Sequence, residues 1–72
     1  MKDKDRRLVA KVFDIEKWQD IGTFTRCKHY RREWYELQIG DTVEKFDGLG
    51  KFTERFCELL KNGVVLVNDQ KN

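Results

Sequence analysis

The sequence predicts an α+β fold: a small antiparallel β-meander of three or four strands, one amphipathic helix packed on a face of the sheet, and a short closing strand. Three observations predict it. Apolar residues recur at helical spacing between Leu49 and Leu60. Residues 33–39 alternate with the two-residue period of a strand. Gly or Asn stands at the positions where these elements must stop or turn.

The first element, residues 8–15, is open to two interpretations. As a strand it places Val9, Phe13 and Ile15 on one side. As a helix it aligns Leu8, Val12 and Ile15, with Asp5 as its cap. We favour the strand, because Val, Phe and Ile crowd there and these residues prefer strands.

A hairpin and a further strand are predicted next. Residues 22–28 are β-prone through Thr and Phe, and His29–Arg32 forms the hairpin tip. In the returning strand, residues 33–39, Trp34 points to the side opposite Tyr35, Leu37 and Ile39, which is the side away from the core. Gly40-Asp41 makes a turn into a strand over residues 42–46.

The helix is predicted over residues 49–61. Asp47 is its expected N-cap, and Asn62-Gly63 its stop, because glycine accepts the left-handed conformation that closes a helix. A short, buried strand follows over residues 64–67. The apolar stripe of the helix comprises Leu49, Phe52, Phe56, Leu59 and Leu60.

Length and composition limit the class of protein. The 72 residues make one domain, residues 1–72, whose polar ends, residues 1–7 and 69–72, we expect to fray. The longest apolar run is Val64–Val67, far below the roughly 20 residues that span a bilayer. No secretory leader is evident and there are two cysteines, so we expect a cytoplasmic protein that does not engage membranes.

Positive charge is concentrated in one segment. Of the 15 Lys and Arg residues, the run 26–32 holds four, and the rest of the chain has 11 against 13 Asp and Glu. Cations beside aromatic rings are what a nucleic-acid surface needs, but Tyr, Trp and Arg also supply most of the energy at protein interfaces. The predicted partner-binding residues are Arg26, Lys28, Tyr30, Arg31, Arg32 and Trp34.

The remaining constellations predict neither metal binding nor catalysis. Cys27, His29 and Cys57 are too few and wrongly spaced for structural zinc, and His29 has no triad partners at a recognisable spacing. A disulfide between Cys27 and Cys57 stays open, because sequence does not give their distance. The phosphate-loop pattern fails, because Lys45 stands at its first glycine and Phe52 interrupts its end. We therefore expect no enzyme and no cofactor.

The resulting hypothesis is a small non-enzymatic protein-interaction module that inhibits or regulates a larger machine through the basic-aromatic hairpin. A second copy of the chain is a candidate partner through the uncovered sheet face. The alternative is a module that binds single-stranded or duplex nucleic acid with the same residues. The acidic remainder of the chain favours protein, because nucleic-acid domains are usually more basic overall.

The order of strands followed by a helix resembles that of small single-strand-binding transcription cofactor domains, and equally that of short phage or plasmid accessory proteins. No specific residue carries either resemblance, so neither assigns a role to any residue of this chain.

Overall fold

The computed structural model describes residues 5–68, which form one five-stranded antiparallel sheet with a single helix on one side. The strand order is β4-β3-β2-β1-β5, so β4 and β5 are the two edges. The α+β prediction is confirmed, and the closing strand joins the same sheet. In chain order the elements are β1 (Asp5–Asp14), β2 (Gln19–His29), β3 (Arg32–Ile39), β4 (Thr42–Phe46), α1 (Leu49–Lys61) and β5 (Val64–Val67).

The ambiguous first element is a strand, as favoured, and the side of it that faces the helix is not the side that carries Phe13. Ala10 and Val12 face the helix and are buried. The register with β2 shifts between Leu8 and Ala10, which breaks the regular alternation of the strand. Phe13 therefore lies on the side away from the helix, although it is the largest apolar side chain of β1.

The start of β1 also differs from expectation. Residues 5–7, expected to fray, pair with residues 26–28 of β2. The reason is that β2 extends to His29 and offers its backbone donors and acceptors to them, which only the register reveals. The other expected frayed segments, residues 1–4 and 69–72, lie outside the described residues.

The core lies between α1 and the sheet and is built on aromatic rings. The Phe52 ring of α1 stacks on Phe24 of β2 with centroids 4.1 Å apart, and Phe46 and Phe56 pack around it. Burial of each ring removes a large apolar area from water. Each ring–ring contact stabilises the fold by roughly a further 0.5–1.5 kcal/mol. The buried members of this core are Ala10, Val12, Phe24, Leu37, Phe52, Leu59 and Val64.

The helix has its predicted bounds, but its ends depart from the prediction. The N-cap is Gly48 rather than Asp47, and no side chain caps the helix, because glycine has no side chain that could accept a hydrogen bond from the first turn. Leu49 and Leu60 are exposed, so the buried stripe is shorter than expected. Gly63 closes the helix with φ 81°, as predicted. Among the described residues, no helix has both the length and the apolar character that crossing a membrane requires.

The closing strand is only partly buried, because it forms an edge of the sheet. Val64 is buried, whereas Val67 is exposed. Neighbouring residues of a strand point to opposite faces, so Val64 and Leu66 face the helix while Val65 and Val67 face away from it.

Two glycine substitutions test this packing. A Cβ at Gly22 would stand 1.8 Å from the backbone oxygen of Gln38, so we expect Gly22→Ala to lower the free energy of unfolding by about 2–3 kcal/mol. At Gly50, in the first turn of α1, a Cβ meets nothing within 4 Å, so Gly50→Ala should raise it by about 0.5 kcal/mol. Urea unfolding measures both. Equal stability of the two variants would contradict the described pairing of β2 with β3.

Candidate functional site

The sheet has two faces with different surroundings. We call the side that packs on α1 the helix face and the other side the open face, which no element covers within residues 5–68. Phe24 and Leu37 are buried against the helix, so they lie on the helix face. Successive side chains of a strand point to opposite faces, which assigns the other residues of β2 and β3. By the same argument the open face carries Phe13, Cys27, Trp34, Glu36, Lys45, Val65 and Val67.

The structure does not bring the six predicted partner-binding residues onto one surface. Arg26 and Lys28 alternate with Cys27 and lie on the helix face, beyond the end of the core. Trp34 and Arg32 lie on the open face, as predicted for Trp34. Tyr30 and Arg31 form the two-residue turn between the strands.

Charges at this end of the sheet are partly neutralised. Arg26 forms an ion pair with Glu33 across the hairpin. Among the described residues, no salt bridge involves Lys28, Arg31 or Arg32. These three cations therefore have no direct ion-pair partner within the described residues, although Glu33 and Asp5 lie across the strands from Lys28.

Trp34 is fastened to the sheet by a polar network on the open face. Its indole Nε1 donates to Glu36 Oε2 at 2.9 Å, and Arg6 Nη1 lies 3.0 Å from Glu36 Oε1. Lys45 Nζ lies 5.8 Å from the centre of the Trp34 ring. The hydrogen bond from Trp34, aided by Arg6 and Lys45, lowers the pKa of Glu36 below its ordinary value, against the opposing effect of burial. Trp34 thus already has partners for its N–H and its ring.

The two cysteines lie on opposite sides of the sheet. Cys27 is fully buried on the open face, whereas Cys57 is exposed on α1, across the sheet from it. Neither cysteine is in a disulfide, so the Cys27–Cys57 bridge left open by the sequence does not form. A buried thiol cannot meet a substrate, and the Cys27–His29 pair gains no support as a catalytic dyad.

His29 borders a shallow cleft that contains both signs of charge. The cleft has a volume of about 290 Å³ and is lined by His29, Arg32, Glu33, Trp34, Lys45 and Asp47. Within residues 5–68, no group of three His, Cys, Asp or Glu side chains is placed to hold a metal ion.

A larger, apolar groove lies at the opposite end of the open face. Its volume is about 550 Å³. Trp18, 75% exposed, stands edge-on to Phe13 with ring centroids 5.1 Å apart. Asp14 Oδ1 accepts hydrogen bonds from the backbone N–H groups of Glu16 and Lys17, which shapes the loop that carries Trp18. We call this the apolar groove; it is lined by Lys11, Phe13, Ile15, Trp18, Asp20, Val65 and Val67.

Sequence reasoning missed the apolar groove, although one signal pointed to it. Residues 9–13 of β1 and 64–67 of β5 carry apolar residues at both alternating positions. Strands of that kind are apolar on both faces, and the second face needs something to cover it. Arg6 and Arg7, which join the basic end of the sheet, were missed because they were expected to fray.

Two aromatic residues hold unfavourable backbone conformations. Trp18 has φ 56° and Tyr30 has φ 59°, and they are the non-glycine residues with positive φ in the described part of the chain. Bulky side chains disfavour this region. Both are about three-quarters exposed, at 75% and 74%, so packing alone does not explain why they stand there.

Comparisons with protein-family models, with curated proteins and with solved structures gave no match. The geometry of the chain itself is therefore the basis on which a function can be proposed.

The turn conformation makes Tyr30 a position where stability should be easy to gain. Glycine adopts positive φ with little conformational strain, so we expect Tyr30→Gly to raise the free energy of unfolding by about 0.5–1 kcal/mol. Arg31→Gly is the matched control, because Arg31 shares the turn but does not have positive φ. That variant should lose stability. Thermal unfolding measures both, and a loss in Tyr30→Gly would show that the Tyr30 ring stabilises the fold.

The polar network predicts a specific pH dependence. The ordinary pKa of a glutamate carboxyl is 4.5, and the pKa of Glu36 in the folded chain is lower. The Glu36 carboxylate therefore stabilises the fold at pH values above 4.5, and this contribution is lost as the pH falls through the lowered pKa. We expect Glu36→Gln to cost about 1 kcal/mol at neutral pH, and its difference from the native chain to vanish in acid. Urea unfolding across the acid range measures this.

Glu33→Gln serves as the control for that experiment. Its ion pair with Arg26 is exposed on both sides, so it should cost only a few tenths of a kcal/mol. Equal losses from Glu33→Gln and Glu36→Gln would contradict the special position of Glu36.

Proposed function

We propose that this chain is a non-enzymatic protein-interaction module whose binding surface is the open face of the sheet, with the apolar groove as its anchor. One observation carries the proposal: Trp18 and Tyr30 are exposed aromatic residues held at positive φ. Glycine would satisfy both backbones at lower cost, so the rings are kept for what they contact. Exposed Trp and Tyr are the side chains that most often dominate binding energy.

The apolar groove has the character of an interface centre. Its apolar side chains come from β1, the following loop and β5, and they meet on a face that no helix covers. Lys11 and Asp20 also line the groove, so it combines apolar area with polar side chains. Protein interfaces combine the two, because burying apolar area drives association while polar groups supply hydrogen bonds.

The hairpin end supplies a second, electrostatic contact. Trp18 and Tyr30 lie just beyond the two ends of β2, whose 11 residues span roughly 35 Å by the rise of an extended strand. Arg31 and Arg32, with no salt bridge to described residues, stand beside Tyr30. A partner that spans the open face would meet the apolar groove at one end and cations at the other. We infer that the hairpin favours an acidic partner surface and raises the association rate.

Nucleic acid remains the competing target for the hairpin end. The pairing of Arg6 and Arg7 with residues 26 and 27 brings two further cations there, which favours nucleic acid, but Glu36 and Asp5 form ion pairs with them. Trp34, the ring expected to stack on a base, is instead engaged by Glu36 and Lys45. The apolar groove has no counterpart in phosphate binding, so protein is the better-supported partner.

Substitution of Trp18 tests the proposal. The immobilised chain, exposed to an extract of its source cells, should retain a specific protein, and Trp18→Ala should reduce that retention at least about tenfold. Leu49→Ala is the control, because Leu49 is an exposed apolar residue on α1, outside the apolar groove. Thermal unfolding should show all three chains folded. Equal retention by Trp18→Ala and the native chain would overturn the groove as the anchor.

A titration with oligonucleotides separates the competing target. Tryptophan fluorescence reports binding of single-stranded and duplex DNA and RNA at two salt concentrations. Tight binding that weakens steeply with salt, survives Trp18→Ala and disappears in Arg31→Ala/Arg32→Ala would replace the protein proposal with a nucleic-acid one.

A further inference from the structure

The edge strand β5 has no feature that blocks pairing with another strand. Its four residues, Val64–Val67, contain no charge, no proline and no register shift against β1. Natural edge strands usually carry a charge, a proline or a bulge, because an uncovered edge otherwise pairs with strands of other chains. The opposite edge, β4, carries Glu44 and Lys45. The two edge strands of the sheet thus differ in charge: β4 is charged and β5 is not.

The hydrogen bonds of β5 identify which backbone groups are directed outward. Ile15 N donates to Gly63 O at 2.9 Å, whereas Gly63 N donates to Leu60 O within the helix stop. The bond from Ile15 places residues 15 and 63 at a hydrogen-bonded position of the ladder between β1 and β5. Such pairs alternate along an antiparallel ladder, which makes Val65 the next residue bonded to β1. The N–H and C=O groups of Val64 and Leu66 consequently point away from β1, toward the free edge.

We propose that β5 pairs antiparallel with β5 of a second copy of this chain, about a two-fold axis through Val65. In this register Val64 lies opposite Leu66 of the second copy, and these residues exchange their outward hydrogen bonds in both directions. Val65 lies opposite Val65 of the second copy as a close, non-hydrogen-bonded pair. The two sheets join into one continuous sheet with both helices on the same side.

Side chains match on both faces in this register. On the helix face, Val64 of each copy lies opposite Leu66 of the other copy, which extends the core across the axis. On the open face, Val67 of the second copy lies opposite Gly63, where no side chain competes for space. That position adjoins Ile15, which is itself exposed.

Charge selects the second copy as the occupant. Pairing β5 with a charged strand would bring charges into an apolar contact, which costs free energy. Among the described strands, β5 is the one without a charged residue. The second copy supplies such a strand, and its Val65 and Val67 stand beside the same residues in the apolar groove. The contact involves few residues, so the dimer should be reversible and dependent on concentration.

The dimer does not require the proposed function, because its formation needs no other protein. It goes beyond that function by placing two apolar grooves side by side across the axis. A partner with two-fold symmetry, or one with a repeated apolar segment, would then bind more tightly than each groove alone allows.

Sedimentation equilibrium of the isolated chain over a wide concentration range tests the dimer. The native chain should show a monomer–dimer equilibrium, and Val67→Lys should weaken it at least about tenfold, because a cation would enter the apolar junction. Val43→Lys is the matched control: Val43 is an exposed valine on the other edge strand, 50% exposed against 43% for Val67. It should dimerise as the native chain does.

Cysteine cross-linking tests the register. In a Cys57→Ser background, Val65→Cys should form a disulfide-linked dimer on mild oxidation, because a non-hydrogen-bonded pair holds its Cα atoms about 4.5 Å apart. Val43→Cys in the same background should not.

Three results would overturn the proposal: a native chain that stays monomeric at every concentration, a dimer that Val67→Lys does not weaken, or Val43→Cys cross-linking as readily as Val65→Cys. Each is read from the isolated chain, so none depends on the extract experiment with Trp18→Ala.

Discussion

One helix can cover only one face of a five-stranded sheet, and this constraint governs the rest of the molecule. The thirteen residues of α1 place Phe52 against Phe24 and bury the helix face. The open face receives no such layer within the described residues. A sheet face must then be polar, be covered by its own side chains, or be covered by something else.

The chain uses two different solutions on the two halves of the open face. Near the hairpin, the Trp34 ring, the Arg6 side chain and the Glu36 carboxylate lie over the sheet and satisfy one another, and Cys27 is fully buried there. Near β5, Phe13, Trp18 and the valines remain accessible. The first half covers itself, whereas the second half leaves the apolar area that a partner can bury. This asymmetry supports the proposal that the groove, rather than the basic hairpin alone, is the anchor for a partner.

Backbone strain and edge design point to the same surface. Trp18 and Tyr30 occupy conformations that favour glycine, and β5 keeps an uncharged edge where protection against association would favour charge. Such departures from local preference are expected where a residue serves binding rather than folding. Trp18 and β5 both border the apolar groove, so two independent departures meet at one site.

Much of the fold was determined by the sequence itself. The α1 and β4 bounds, the Gly63 stop and the strand character of β1 follow from local periodicity and turn chemistry, which act over a few residues. The outward placement of Trp34 was equally readable from alternation in β3.

Only the tertiary structure decided which surface those elements form. The register of β1 on β2 brought Arg6 beside Cys27, and the shift after Leu8 turned Phe13 to the open face. Pairing of β5 with β1 completed the apolar groove from residues some fifty positions apart. Local sequence could not show these placements, because register and strand order depend on contacts between segments that are distant along the chain.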